Sequence, residues 1–208
     1  MLIYIIRHGE TQANIDCIIQ GWGNAPLNDY GRVLATTSGR GLRGIHFDAC
    51  YSSSLIRAVE TAEIVLRESG NAAVPIELDD RLKEIHLGDW EGKTLSEMAG
   101  NEQLEYYFHE PEKFLGFPHG ETLEQVRWRT QDFLWNLLAH GNANSTYLVA
   151  THGCAYRAML QGFYTDGFWH RQMPPNCVVS VIRDGVLVED DKLYFREEDV
   201  PGYHVGRL

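Results

Sequence analysis

Two apolar stretches of this chain end in the same way. Residues 2–6 run into Arg7, His8 and Gly9, and residues 147–150 run into Thr151, His152 and Gly153. These side chains suit a phosphoryl group. An arginine fork matches its oxygens and keeps its charge, and a neutral imidazole is a good nucleophile near pH 7. Arg57 adds a second guanidinium in the first turn of a predicted helix, where a cation opposes the helix dipole. Asn14 offers an amide donor shortly after His8. Each feature alone reads as a strand ending in solvent or a surface cation. Their recurrence at element boundaries favours anion binding.

The elements that must carry these residues follow from periodicity. Residues 2–6 and 147–151 are short, β-branched and almost wholly apolar, as strands buried on both faces are. Residues 46–51 and 74–78 are two further strand candidates. In a parallel sheet, His8 and His152 project from the same carboxyl edge, where open α/β sheets place ligands. The amides of a helix starting after Gly153 attract an anion. Residues 11–27 read as a loop broken by Gly21, Gly23 and Pro26. Asn28 caps a helix reaching about residue 43, a poor one by propensity because of Gly31, Gly39 and Gly41. Ser52, Ser53 and Ser54 supply cap hydroxyls for a helix over 55–69, with Gly70 at its end. Thr122 and Gln125 form a capping-box pattern for a long helix ending at Gly141. A shorter helix runs over 154–163. Residues 178–182 and 186–188 flank Asp184-Gly185, a hairpin signal. The acidic tail from Glu189 is expected to be loosely attached.

Residues 93–121 are irregular, aromatic and acidic, and read as a lid inserted into one domain spanning 1–208. The fold expected is a three-layer α/β sandwich: a mostly parallel central sheet with helices on both faces, a C-terminal antiparallel hairpin and a helical or irregular lid.

Composition narrows the partners. A net charge of −11, from 18 Lys and Arg against 29 Asp and Glu, argues against nucleic acid or an anionic membrane surface. A small anionic ligand is still accommodated by a few convergent arginines. Cys17, Cys50, Cys154 and Cys177 form no C-x-x-C pair and read as free thiols in a reducing compartment. No apolar run approaches the ~18 residues of a membrane span, and the N-terminal run is too short for a signal peptide. A cytoplasmic location is the expectation. The aromatics of 106–117 are compatible with a homodimer contact as well as with a substrate.

Five blocks resemble, in order, the signature of the histidine phosphatase superfamily in its phosphoglycerate-mutase-like branch. They are Ile5-Ile6-Arg7-His8-Gly9-Glu10-Thr11, Tyr51-Ser52-Ser53-Ser54-Leu55-Ile56-Arg57 with Glu60-Thr61-Ala62, residues 82–92, Gly120-Glu121-Thr122, and Thr151-His152-Gly153. The resemblance runs from residue 3 to about 182. It implies that His8 is the nucleophile of a phosphohistidine intermediate, with Arg7, Arg57 and His152 holding the phosphoryl oxygens. It adds Asn14 and the Gly153 amide as donors, Gln20 near the phosphoryl or leaving group, and Glu84 as proton donor and later base. No metal and no organic cofactor is called for. Without the resemblance, Glu84 reads as a surface carboxylate among charged neighbours.

One departure is Ser54, where the family usually carries Pro. Trp90 reads as packing or pocket wall, and Glu121 as a pocket residue or a helix-start carboxylate. A metal pair from His86 and Asp89 is disfavoured. Of the remaining histidines, 46, 109, 119, 140, 170 and 204, His119 alone is placed near enough to reach the site, and the others read as surface or core.

The family holds hydrolases and isomerases. A mutase needs extra cations for a second anionic group, and between Glu84 and Thr122 only Lys93 and Lys113 are basic. An acidic, aromatic lid repels polyanions and stacks on apolar leaving groups. The expected function is therefore hydrolysis of small phosphomonoesters. A cofactor-dependent phosphoglycerate mutase is the second reading, and a non-catalytic phospholigand binder the third. The binder is disfavoured because binding alone needs no proton donor.

Overall fold

The computed structural model describes residues 1–165 and 173–204. In chain order the elements are β1 (Leu2–Arg7), α1 (Gln12–Ile15), α2 (Asp29–Gly41), β2 (Ala49–Ser52), α3 (Ile56–Ser69), β3 (Ile76–Leu78), α4 (Glu102–His109), α5 (Leu123–His140), β4 (Thr146–Thr151), α6 (Gly153–Leu160), β5 (Val179–Arg183) and β6 (Val186–Lys192). Six strands form one sheet in the order β3-β2-β4-β1-β5-β6. The first four of these are parallel, and β5 and β6 are added antiparallel, each to its neighbour.

The period of two along the buried strands sends alternate residues into separate cores. Ile6, Leu148 and Ala150 pack with Leu34, Ala62 and Val65 of α2 and α3. Ile3, Ile5 and Val149 pack on the other face with Phe133, Leu134 and Met159 of α5 and α6. This is the three-layer arrangement that the strand and helix patterns require. The β5–β6 turn places both Asp184 (φ 49°) and Gly185 (φ 80°) in the left-handed region, as a tight hairpin demands.

Local chemistry explains most helix starts. Thr122 caps α5 with a reciprocal capping box to Gln125, and Asn28 accepts from the Gly31 amide at the start of α2. Three sequence readings are corrected. Residues 11–27 are not all loop: Thr11 and Asn14 form a capping box that nucleates the short α1. The serines do not cap α3. Ser54 bonds Asp80, Ser53 serves Leu55 and His152, and α3 begins after Leu55 without a side-chain cap. The tail is not loose through 204. β6 continues to Lys192, Val200 is buried, and Tyr194, Phe195 and Tyr203 pack against the α2–α3 core.

The segment 93–121 contains α4, started by Asn101, whose carboxamide accepts from the amides of Gln103 and Leu104. Tyr107 and Phe117 are buried with Trp90, Ile85, Val126 and Ala155 in a third cluster, against which Phe108 and Phe114 pack, while the Tyr106 hydroxyl donates to Glu102 at the surface. Among the described residues, no helix is long and apolar enough to cross a membrane.

Candidate active site

The register of β1 on β4 sets the site. Arg7 pairs with Thr151, and the His8 amide donates to the Thr151 carbonyl at 2.9 Å, so both histidines leave the sheet at one edge. Their rings lie 5.1 Å apart. Both are buried, His8 at 3% exposure and His152 at 0%. His8 Nδ1 lies 2.6 Å from the carbonyl oxygen of Gly9. A carbonyl can only accept, so Nδ1 carries the proton and Nε2 keeps its lone pair. Burial, and then the charges of Arg57 and Arg7, hold the His8 imidazole well below its ordinary range, with the Gly9 bond opposing. His8 is thus a neutral imidazole in a cationic setting, the state a nucleophile toward phosphorus requires.

His152 is the N-cap residue of α6 and exchanges a 2.7 Å hydrogen bond between Nε2 and the Ser53 hydroxyl. Burial and Arg57 hold it well below the usual imidazole range. Its Nδ1 is buried without a hydrogen-bond partner among the described residues, an orphan that an anion oxygen or water would satisfy. His152, expected to hold a phosphoryl oxygen, lies with its ring beside that of His8 and does not line the cavity.

Arg57 is 1% exposed. It donates Nη1 to Gly23 O at 2.7 Å and Nη2 to Gly21 O at 2.8 Å, fastening the 20–24 loop over the site. Arg7 donates to the Pro174 carbonyl. Burial lowers both guanidinium pKa values to about 10, so both stay charged at neutral pH. The Asn14 carboxamide oxygen accepts from the Thr11 amide and hydroxyl, each at 3.0 Å. The same hydroxyl lies 3.0 Å from Gln20 Oε1.

Glu84 enters from the loop after β3. Its carboxyl oxygens accept from the amides of Ile85 at 3.0 Å, Cys154 at 3.2 Å and Ala155 at 3.0 Å. The first amides of α6, expected to meet a phosphoryl group, therefore meet Glu84. Gly153 lies close to two side chains: a Cβ there would lie 2.5 Å from Met173 Sδ, which would have to move, and 3.4 Å from Arg7 Nε.

Most of these groups line one cavity that opens to solvent. Arg7, His8, Asn14, Gln20, Arg57 and Glu84 line its polar end. Ile18, Trp90, Leu95, Leu104, Tyr107 and Phe117 form an apolar wall. Arg7 and Arg57 are the cations among the described lining residues. Trp90 is thus both packing and wall, 5.0 Å from Phe117 in an edge-on pair.

Two expectations need correction. Glu121 does not line the cavity, because its carboxylate holds Arg129 in a bidentate pair and accepts from the His86 amide. His119 is not at the site: its side chain is 85% exposed and pairs with Asp89 at 3.0 Å. Among the described residues there is no cluster of three or more His, Cys, Asp or Glu side chains able to hold a metal. His170 lies outside the described residues. Sequence reasoning missed Ser53 as the partner of His152. It also missed Trp22, whose indole donates to Glu84 O at 2.7 Å, and Arg129. No spacing rule links Ser53 to His152, or Trp22 and Arg129 to Glu84.

Comparison with known proteins agrees with this geometry. The family model of the histidine phosphatase superfamily (branch 1) matches residues 3–185. Fructose-2,6-bisphosphatase TIGAR B of Danio rerio is 39% identical over 176 residues, covering 78% of this chain and 63% of that protein. The chain thus spans under two thirds of that relative's length. A 2,3-bisphosphoglycerate-dependent phosphoglycerate mutase of Bartonella quintana (strain Toulouse) is 30% identical over 164 residues, covering 76% of this chain and 79% of the relative. The solved structure of Bacillus stearothermophilus YhfR superposes with a TM-score of 0.81 at 31% identity, over 90% of this chain and 94% of that one. The chain belongs to the histidine phosphatase superfamily, branch 1.

Proposed function

We propose that this chain hydrolyses small phosphomonoesters through a phosphohistidine on His8. The observation that carries the reading is the tautomer of His8: its Nδ1 proton is held by Gly9 O, which leaves Nε2 as the nucleophile, buried beside two guanidinium groups. In the first step Nε2 bonds to phosphorus as the bond to the leaving oxygen breaks. Arg7 and Arg57 offset the charge on the equatorial oxygens. The phosphate dianion bound beside Glu84 favours its protonated form, which gives its proton to the leaving alkoxide. In the second step water attacks phosphorus, its proton passes to the Glu84 carboxylate, and the N–P bond breaks to release phosphate and neutral His8. Asn14 and Gln20, which line the cavity, supply further polar contacts around the phosphoryl group, while His152 stands beside the His8 ring. The apolar wall receives the leaving group, so single phosphates on aliphatic or ring-bearing alcohols are the favoured substrates.

The similarity to a phosphoglycerate mutase supports a second reading, transfer of the phosphoryl group back to a phosphoglycerate. Against it, the described apolar wall offers no cation for a second anionic group.

The test is phosphate release from a panel of phosphomonoesters in the presence of EDTA, with His8→Ala as control. Release well above that control is expected, together with transient ³²P on the protein that is stable to alkali and lost in acid. Glu84→Gln should slow turnover of alkyl phosphates by ~10²–10⁴. Wild-type rates no higher than the control would refute the hydrolase. Isomerisation of 3-phosphoglycerate, dependent on 2,3-bisphosphoglycerate and faster than phosphate release, would establish the mutase instead.

A further inference from the structure

We infer that Arg129, held by Glu121, is a positioning residue for Glu84. This rests on the proton-donor role of Glu84 proposed above. The loop that carries Glu84 has little to hold it. Residues 83–87 lie between single helical turns at Asp80–Leu82 and Gly88–Trp90 and belong to no regular element. A general acid on such a segment needs an external brace, because a displacement of about 1 Å costs on the order of 10²-fold in rate.

Arg129 of α5 supplies that brace. Its Nη1 donates to Arg81 O at 2.8 Å and Lys83 O at 2.6 Å, and its Nη2 donates to Glu84 O at 2.8 Å. The other edge of the guanidinium meets Glu121, with Nε to Oε1 and Nη2 to Oε2 both at 2.7 Å. All five N–H donors of the group are thereby used. Glu121 Oε2 also accepts from the His86 amide at 2.8 Å. One ion pair thus grips three carbonyls and one amide between residues 81 and 86. The pair is well shielded, with side-chain exposures of 12% and 18%. Trp22 grips Glu84 O from the opposite loop at 2.7 Å.

The geometry separates positioning from substrate binding. Arg129 has no N–H left for a phosphoryl oxygen and does not line the cavity. Lysine cannot replace it, because a single ammonium with three donors cannot span carbonyls and a carboxylate on opposite edges of a plane.

The test uses leaving-group dependence, which a general loss of stability does not alter. An alkyl phosphate needs a proton on its leaving oxygen, whereas p-nitrophenolate leaves without one near neutral pH. Arg129→Gln and Arg129→Lys should lower kcat/KM for an alkyl phosphate ~10–100-fold, with little change for p-nitrophenyl phosphate. Glu84→Gln should show the same selectivity more strongly. The Glu84→Gln/Arg129→Gln double variant should lose no more on the alkyl substrate than Glu84→Gln alone. Equal losses on both substrates, full recovery in Arg129→Lys, or multiplicative losses in the double variant would overturn the inference. If Glu84→Gln itself shows no leaving-group dependence, the donor assignment fails, and the positioning role falls with it. Should Arg129→Gln not fold by circular dichroism, Glu121→Gln leaves Arg129 in place and is read the same way, with a weaker expected selectivity.

Discussion

At the scale of single residues, the site depends on keeping two imidazoles neutral. Burial and the neighbouring guanidiniums disfavour a proton on His8 and His152 in the native state. The unfolded chain has no such restraint and takes up a proton on each below about pH 6.5. The unfolded state then binds more protons than the native one, so stability falls as pH drops below that value and levels off above it. Each histidine contributes a slope of about 1.4 kcal/mol per pH unit in the acid window, until its own depressed native pKa is reached. Urea unfolding of the wild type and of His152→Gln at pH 5, 6 and 7 should show the wild type losing more per unit by about that amount. Equal slopes would mean that His152 charges readily in the folded protein. The same balance explains why both arginines can sit so close. A neutral His8 adds no charge, and Glu84 opposes the two guanidinium charges.

At the scale of elements, the site is assembled by close backbone approaches that propensity cannot show. Gly31, in the first turn of α2, lies against the chain just after the nucleophile. A Cβ at this position would lie 2.1 Å from Glu10 O and 2.6 Å from Glu10 N. Backbone atoms cannot move aside as a side chain can. Gly31→Ala should therefore cost roughly 1–3 kcal/mol or more, and should lower kcat/KM by displacing residues 8–11. A melting temperature and rate equal to wild type would show that α2 shifts freely. This glycine also shows what the sequence conceals. By propensity α2 looked poor because of its glycines, yet Gly31 is there so that a helix can touch the strand-end loop. Elements marked by apolar period or a capping box, such as β1, β4 and α5, were legible. So was the meeting of His8 and His152, since two strands ending alike in a parallel sheet must present those ends together. The role of Ser53 was not legible. Three consecutive serines before a helix signal a cap, and only the register of β2 beside β4 brings one of them to His152. Glu121 was ambiguous for the same reason: it precedes the cap of α5, its partner Arg129 lies within that helix, and nothing local declares the pair.

At the scale of the whole molecule, the C-terminal segment of the described chain returns to the residues that follow the nucleophile. After β6, residues 194–204 fold back over the α2–α3 face, where Val200 is buried and Tyr194, Phe195 and Tyr203 pack on the core. The approach is close enough that a Cβ on Gly41 would lie 1.5 Å from Tyr194 O. His204 stacks on Tyr30 with ring centroids 4.4 Å apart, and its Nε2 lies 3.0 Å from Glu10 Oε2. Glu10 is 1% exposed and also accepts from Asn28 Nδ2 at 2.8 Å. The tail therefore covers apolar surface and supplies a partner to a buried carboxylate two residues from the nucleophile. Burying one large apolar side chain is worth about 1.5–3 kcal/mol, so one fully buried and three partly buried residues contribute on the order of 5 kcal/mol. That is comparable with the whole stability of a typical domain, about 5–15 kcal/mol. A chain ending at Lys192 should consequently unfold at much lower urea than the full chain, or fail to accumulate as folded protein. Its remaining folded fraction should expose the amides of α2 and α3 to hydrogen exchange before those of α5 and α6. Unchanged stability in that truncation would show that the tail rests on the α2–α3 face without holding it, and would leave Asn28 to satisfy Glu10.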